Sequence, residues 1–325
     1  MRVCAIIPVG PSEPNALAKK SIESLAALDC CDIDFAAYYV IDKNRTECSG
    51  LFELLPEQFH IALRNDNRGR RAGALNDVLH LIEGADYIAV VDVDSRPNAD
   101  FVVKCVRELE ANPECVLASG CRFVTNKVNT LTKLVSIEYN FFCDMYRLLN
   151  WSGGFMQFNG AIGVSRASFL RTTGFDERAS CEDLDLNEKT YLSGNRAVLA
   201  ATRIGEQAPT SVQDLYRQRV RWFRGAVEGL RTYLRPMLGA RVPPSVKVTW
   251  LSTVTIPFLS YLFVPFVPLY LKENSTQSSN LSTSLKILLG SVGYLCLMTL
   301  CGTVAVAQHL AFREREWTEM ARSEV

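Results

Sequence analysis

The chain has 325 residues, enough for one large domain or two medium ones with a proper core. Its 35 basic and 35 acidic residues cancel, which leaves a nucleic-acid partner without electrostatic support. Three histidines (His60, His80, His309) supply histidine-based chemistry poorly, and eleven cysteines without a C-x-x-C pair argue against a zinc site or a disulfide framework and for a reducing compartment around most of them.

Val3 to Val9 reads as a buried strand, with no basic stretch and apolar run before it, so no signal peptide is expected. Helical spacing of Leu17, Ile22, Leu25 and Leu28 predicts a helix from Asn15 to Leu28. A second strand, Phe35 to Ile41, runs into Asp42; a short helix near Leu51 to Leu55 and a third strand around Ile61 to Leu63 follow. This alternation predicts a parallel, doubly wound α/β sheet with right-handed crossovers. Next comes Asn67-Arg68-Gly69-Arg70-Arg71-Ala72-Gly73-Ala74-Leu75-Asn76. Its glycines permit close backbone approach, and its arginines are phosphate-competent forks at a helix start. Neither G-x-x-x-x-G-K-[ST] nor G-x-G-x-x-G is present, which counts against a nucleotide triphosphatase or a dinucleotide enzyme.

The apolar run Tyr87 to Val91 reads as a strand buried on both faces, ending in Asp92-Val93-Asp94. Ligands of open α/β sheets sit beyond the carboxyl ends of the strands, so these carboxylates and Asp42 face one crevice. Two hard oxygen ligands suit Mg2+ or Mn2+; the alternative is a strand end closed by a solvated Asx turn. Cys115 to Arg122 is an expected strand and Thr130 to Leu149 an aromatic-rich helix. The turns Trp151 to Phe155 and Phe158 to Ala161 are glycine-rich and fit to border a pocket. Glu182-Asp183 falls at a helix start, where the dipole alone favours acids, yet with histidine so scarce Asp183 is the best placed general base.

Gln213 to Arg235 places arginines and aromatics on an amphipathic helix expected to lie on a membrane surface. Val248 to Leu271 and Ile287 to Phe312 run 24 and 26 residues without Asp, Glu, Lys or Arg, each longer than the roughly 20 needed to cross a bilayer, which predicts a transmembrane hairpin. Seven Lys or Arg residues flank the hairpin against two, Lys272 and Lys286, in its loop. The positive-inside rule then places both termini, and the catalytic domain, in the cytoplasm. The expected organisation is 1–212 catalytic, 213–247 interfacial, 248–312 hairpin and 313–325 cytoplasmic tail, a multi-pass membrane protein.

Taken in order, the motifs resemble the membrane-bound branch of family 2 glycosyltransferases, with the GT-A fold. That family includes cellulose, chitin and hyaluronan synthases and ceramide glucosyltransferase. The resemblance covers about residues 1 to 235. Arg71-Ala72-Gly73-Ala74-Leu75-Asn76 is similar to K-A-G-A-L-N, and Asp92-Val93-Asp94 to the metal-binding D-x-D. Cys181-Glu182-Asp183 resembles T-E-D, and Gln218-Arg219-Val220-Arg221-Trp222 matches Q-x-x-R-W. The resemblance implies that Asp42, Arg71, Asn76, Asp92 and Asp94 bind a UDP- or GDP-linked sugar. It further implies that Asp94 and Asp92 hold Mg2+ or Mn2+, that Asp183 with Glu182 is catalytic, and that Gln218, Arg221 and Trp222 border the acceptor and diphosphate. An inverting transfer to a lipid or lipid-linked glycan hydroxyl is expected. A processive synthase working as an oligomer is the alternative; a sugar-nucleotide pyrophosphorylase and a non-catalytic scaffold fit the motifs less well.

Overall fold

The computed structural model describes residues 1–30, 32–42, 55–158, 160, 162–255, 258–259 and 281–311. Among the described residues there are eight strands: β1 (Arg2–Val9), β2 (Asp34–Asp42), β3 (Phe59–Arg64), β4 (Tyr87–Val90), β5 (Arg96–Pro97), β6 (Cys115–Val124), β7 (Gly163–Arg166) and β8 (Arg196–Glu206). They form one sheet in the order β3-β2-β1-β4-β7-β6-β8-β5. The helices are α1 (Asn15–Ala26), α2 (Arg70–Leu79), α3 (Phe101–Ala111), α4 (Thr130–Ser152), α5 (Ala167–Thr173), α6 (Glu182–Leu192), α7 (Val212–Gly239), α8 (Pro244–Thr255) and α9 (Leu281–Leu310). The short helix expected near residue 51 lies outside the described residues.

Alternation along β1 divides the core. Val3, Ala5 and Ile7 are buried against Leu17 and Leu25 of α1 and Phe101 of α3, while Cys4 and Ile6 join Leu75 and Val78 of α2 on the opposite face. Both faces are therefore apolar, as in a sheet covered on two sides. In register, Ile6 pairs with Tyr38 of β2 and Val90 of β4, so Asp42 and Asp92 emerge at the same edge.

The sheet departs from the all-parallel expectation at β7, which runs antiparallel to both β4 and β6. It joins two parallel blocks, β3-β2-β1-β4 and β6-β8; β5 is antiparallel to β8. Four residues opened by a glycine carry too little periodicity to mark β7 in the sequence. Against the expectation that most cysteines are reduced and build no disulfide framework, one pair is bonded among the described residues: Cys121 of β6 and Cys143 of α4, with Cα atoms 5.2 Å apart. The 22-residue separation has no signature, because only the packing of α4 on β6 brings the thiols together.

The C-terminal third differs more. On helix α7, Leu215, Phe223, Ala226 and Met237 are buried, with α6, α8 and α9 packed against the helix, while Leu234 and Leu238 are exposed. The start of the first expected span belongs to α8, where Trp250 is fully buried and Nε1 donates to Glu188 Oε1 (2.9 Å). Residues 260–280 lie outside the described residues, so a hairpin is not observed. Among the described residues one helix, Leu288–Leu310, is long and apolar enough to cross a membrane, with mean hydropathy 1.8. Its stripe of Tyr294, Met298, Cys301 and Ala305 is buried in the cluster that holds Leu134, Leu215 and Phe223, while Leu289, Leu300 and Leu310 are exposed.

Candidate active site

A cleft of about 920 Å³ opens where the strands end, lined by residues from β1, β2, β3, β6, β8, α2, α6 and α7 and by the turn Asp92–Asp94 that follows β4. At one side Asp42 is buried and accepts from Arg64 Nη1 (3.0 Å), the residue opposite it on β3. Burial pushes the Asp42 carboxyl above its ordinary range, with Arg64 opposing. Arg64 Nε also donates to Asp77 Oδ2 (2.8 Å). These bonds need Gly73: a Cβ there would sit 1.9 Å from the Arg68 carbonyl oxygen and 2.9 Å from Arg64 Nη2.

The loop before α2 is held in left-handed backbone at Gly69 (φ 63°) and at Arg70 (φ 51°). A non-glycine residue in that region stores strain, which tends to gather at functional sites. Burial lowers the Arg70 pKa, and the like charge of Arg221 on α7 lowers it further, so two guanidiniums face the same space. Arg71 is the hub. Its Nε donates to Asp92 Oδ1 (2.7 Å), its Nη1 to Glu182 Oε1 (2.6 Å) and its Nη2 to the Gly160 carbonyl. One side chain thereby ties the D-x-D turn to the start of α6.

Asp183 turns toward Gly160, whose N–H donates to Oδ2, while Leu184 N–H donates to Oδ1 (2.8 Å). Burial and then the Glu182 charge raise its pKa, outweighing the two backbone donors and Arg71. The helix-start setting alone predicts the opposite direction. Cys181, standing where the family pattern has threonine, donates through Sγ to the Arg221 carbonyl (3.7 Å) and so joins the E-D and Q-x-x-R-W segments.

Asp92, Asp94, Asp183, Gln218, Arg221 and Trp222 all line the cleft. Asn76 faces elsewhere: its amide donates to the Phe175 carbonyl (2.9 Å) and Glu177 Oε1 (3.1 Å) and accepts from Phe175 N (2.9 Å). It is a brace beneath α2 rather than a lining group. Trp222 carries the Arg219 guanidinium 4.1 Å from its ring, and buried Arg219 pairs with Glu138 Oε2 of α4 and Tyr294 of α9. Arg64, Arg122 and Glu206 also reach the cleft, although no motif marks them.

Asp92 and Asp94 offer hard oxygens, and Asp94 is 6% exposed. Among the described residues no three His, Cys, Asp or Glu side chains form a closed metal cage. A cation there would complete its coordination with water and ligand oxygens, which fits Mg2+ or Mn2+.

The mixed sheet with its acidic strand ends defines a nucleotide-sugar fold of the GT-A kind. Of solved structures, mannosyltransferase PcManGT from Pyrobaculum calidifontis, in complex with GDP-Man and Mn2+, aligns with TM-score 0.70 and 18% identity over 96% of this chain and 88% of its own. S. aureus TarS 1-349 aligns at TM-score 0.52 and 14% identity, over 97% and 93%. Residues 87–308 match the family described as Glycosyl transferase family group 2, and the chain belongs to that family. Glucomannan 4-beta-mannosyltransferases 7 and 9 of Arabidopsis thaliana are 30% and 28% identical over 176 and 170 residues, or 52% and 50% of this chain. The chain spans 32% of the length of each of these two curated relatives.

Proposed function

We propose that the chain is an inverting, cation-dependent glycosyltransferase that moves a sugar from a nucleotide-diphosphate donor to a hydroxyl of a lipid or lipid-linked glycan. The observation that carries this reading is the convergence of Asp92, Asp94, Asp183 and the Arg70–Arg221 pair on one cleft. Asp42 and Arg64 mark the nucleotide end. Asp183 takes the proton of the acceptor hydroxyl, whose oxygen attacks the anomeric carbon from the face opposite the diphosphate, and the bond to the diphosphate breaks. A pKa raised by burial suits that task, because a base is most effective when its pKa nears the working pH. Glu182, held by Arg71, supplies part of that rise. Arg221 and Arg70 meet the charge that builds on the leaving diphosphate. Asp94 and Asp92 would hold Mg2+ or Mn2+, which when bound neutralises diphosphate charge.

GDP-mannose is the donor to try first, since relatives are named for mannosyl transfer and PcManGT is described with GDP-Man and Mn2+. The exposed apolar stripe of α9 supports a membrane setting, and the charge asymmetry supports a cytoplasmic cleft. The relatives' polymer names favour, as a second reading, an oligomer that extends a glycan. Detergent-solubilised protein incubated with labelled GDP-mannose and Mn2+ tests both: label in the lipid extract supports single transfer, label in alcohol-insoluble polymer the second reading. Asp183→Asn should lower turnover about a hundredfold to ten-thousandfold while nucleotide affinity holds. Normal turnover in that variant, or in EDTA, overturns the assigned base or the cation requirement respectively.

A further inference from the structure

The cleft has a floor that the mechanism above does not use. Arg122, near the end of β6, donates through Nη1 to both oxygens of Glu206 at the end of β8 (3.2 and 2.9 Å). Tyr139 of α4 donates its hydroxyl to Glu206 Oε2 (3.2 Å), and its ring lies 4.7 Å from the Arg122 guanidinium carbon. All three line the cleft, at 8%, 8% and 3% exposure. Bracing is also covalent, since Cys121 beside Arg122 is bonded to Cys143, one turn along α4 from Tyr139.

Two residues lining the cleft each bury a polar atom without a hydrogen-bond partner among the described residues: Arg122 Nη2, a donor, and Gln218 Oε1, an acceptor on the α7 wall. Leaving such a group bare costs about 1–3 kcal/mol, so each calls for a polar group of a ligand in the cleft. The charges of Arg122 and Glu206 cancel, and a carboxylate repels anions, so the floor does not suit a phosphate. Hydroxyls, which donate and accept, do suit it. The position is adjacent to the D-x-D turn: besides burial, the Asp94 and Asp92 charges raise the Glu206 pKa.

We infer that Arg122 Nη2 and Gln218 Oε1, braced by Glu206 and Tyr139, hold hydroxyls of the transferred sugar and so set which sugar the donor carries. This rests on the nucleotide-sugar reading. A site built to bond a hydroxyl rejects analogues that misplace it, because its buried groups are then left unpaired.

Calorimetry on the full chain in detergent with Mn2+, titrating GDP and GDP-mannose in parallel, tests the inference. Arg122→Lys keeps a cation opposite Glu206 and removes the second donor. It should weaken GDP-mannose about tenfold or more, as expected for a charged hydrogen bond, and leave GDP within about twofold. Gln218→Leu keeps the side-chain bulk and removes the carboxamide whose oxygen bonds nothing among the described residues, so it should fold and show the same split. Equal weakening of both ligands, or of neither, in Gln218→Leu overturns the inference even if Arg122→Lys fails to fold. If the wild type binds neither GDP- nor UDP-sugars, the nucleotide-sugar reading falls and takes the inference with it.

Discussion

At the scale of single residues, Arg71 shows how the site is held together. It neutralises Asp92 and Glu182, two acids 90 residues apart that would otherwise repel across a partly buried cleft. Arg71→Met should lower stability by about 3 kcal/mol, the order expected when one partner of a buried ion pair is lost, read as a shift in chemical-denaturation midpoint. Arg71→Lys keeps the charge but lacks the fork, and should recover only part of that loss. That Asp183, Asp92 and Asp94 line one cleft was legible in the sequence, because strand ends and helix starts of an α/β sheet converge on one edge. Asn76 was expected at the donor by resemblance alone; its amide engages Phe175 and Glu177, and it does not line the cleft. Asp185 carries no motif signal, yet it accepts from Tyr233 (2.5 Å) of α7 and pairs with Lys189 Nζ (2.7 Å). Arg122 was invisible, since its partner Glu206 lies 84 residues away and neither residue sits in a motif.

At the scale of elements, α6 and α8 are clamped by Glu188 and Trp250. Glu188 is buried, and its pKa rises to about 8, chiefly through burial, with the Trp250 hydrogen bond opposing. A raised folded-state pKa means that the protonated acid is the stabilising form. That stability is complete below the unfolded value of a glutamic acid and is lost as pH rises through about 8. The thermal midpoint should therefore fall between pH 6 and 9 in the wild type. Glu188→Gln, which still accepts from the indole, should flatten that decline; an equally steep decline would remove Glu188 as its source. The β1, β2 and β4 strands were readable because unbroken apolar runs belong to strands covered on both faces. At 248–255 hydropathy alone could not show that Trp250 is buried in protein while Val248 and Leu251 on the same helix are exposed.

At the scale of the whole molecule, α9 joins the catalytic domain to whatever its exposed stripe faces. Washing membranes with alkaline carbonate should leave the full chain in the pellet, whereas Leu289→Glu with Leu300→Glu should release it. Release of the wild type would argue that protein, not lipid, covers those leucines. Of the architecture, the parallel half could be read in advance. The mixed half could not, because β7 is too short and its place between β4 and β6 is decided by pairing over long sequence distances.

Antiparallel β7 also sets an order in time. Asp42, Arg71, Asp92 and Asp94 all lie within the first 94 residues, on or beside strands that pair among themselves. Their counterparts Asp183, Glu206 and Gln218 follow β7. A ribosome adding about 5–20 residues per second needs roughly 5–20 seconds to go from Asp92 to Glu182. For that interval Arg71 has only one of its two acids, and the nascent chain carries half a cleft. Completion of the cleft therefore waits for β8 and α7, which settle against an edge that is already built.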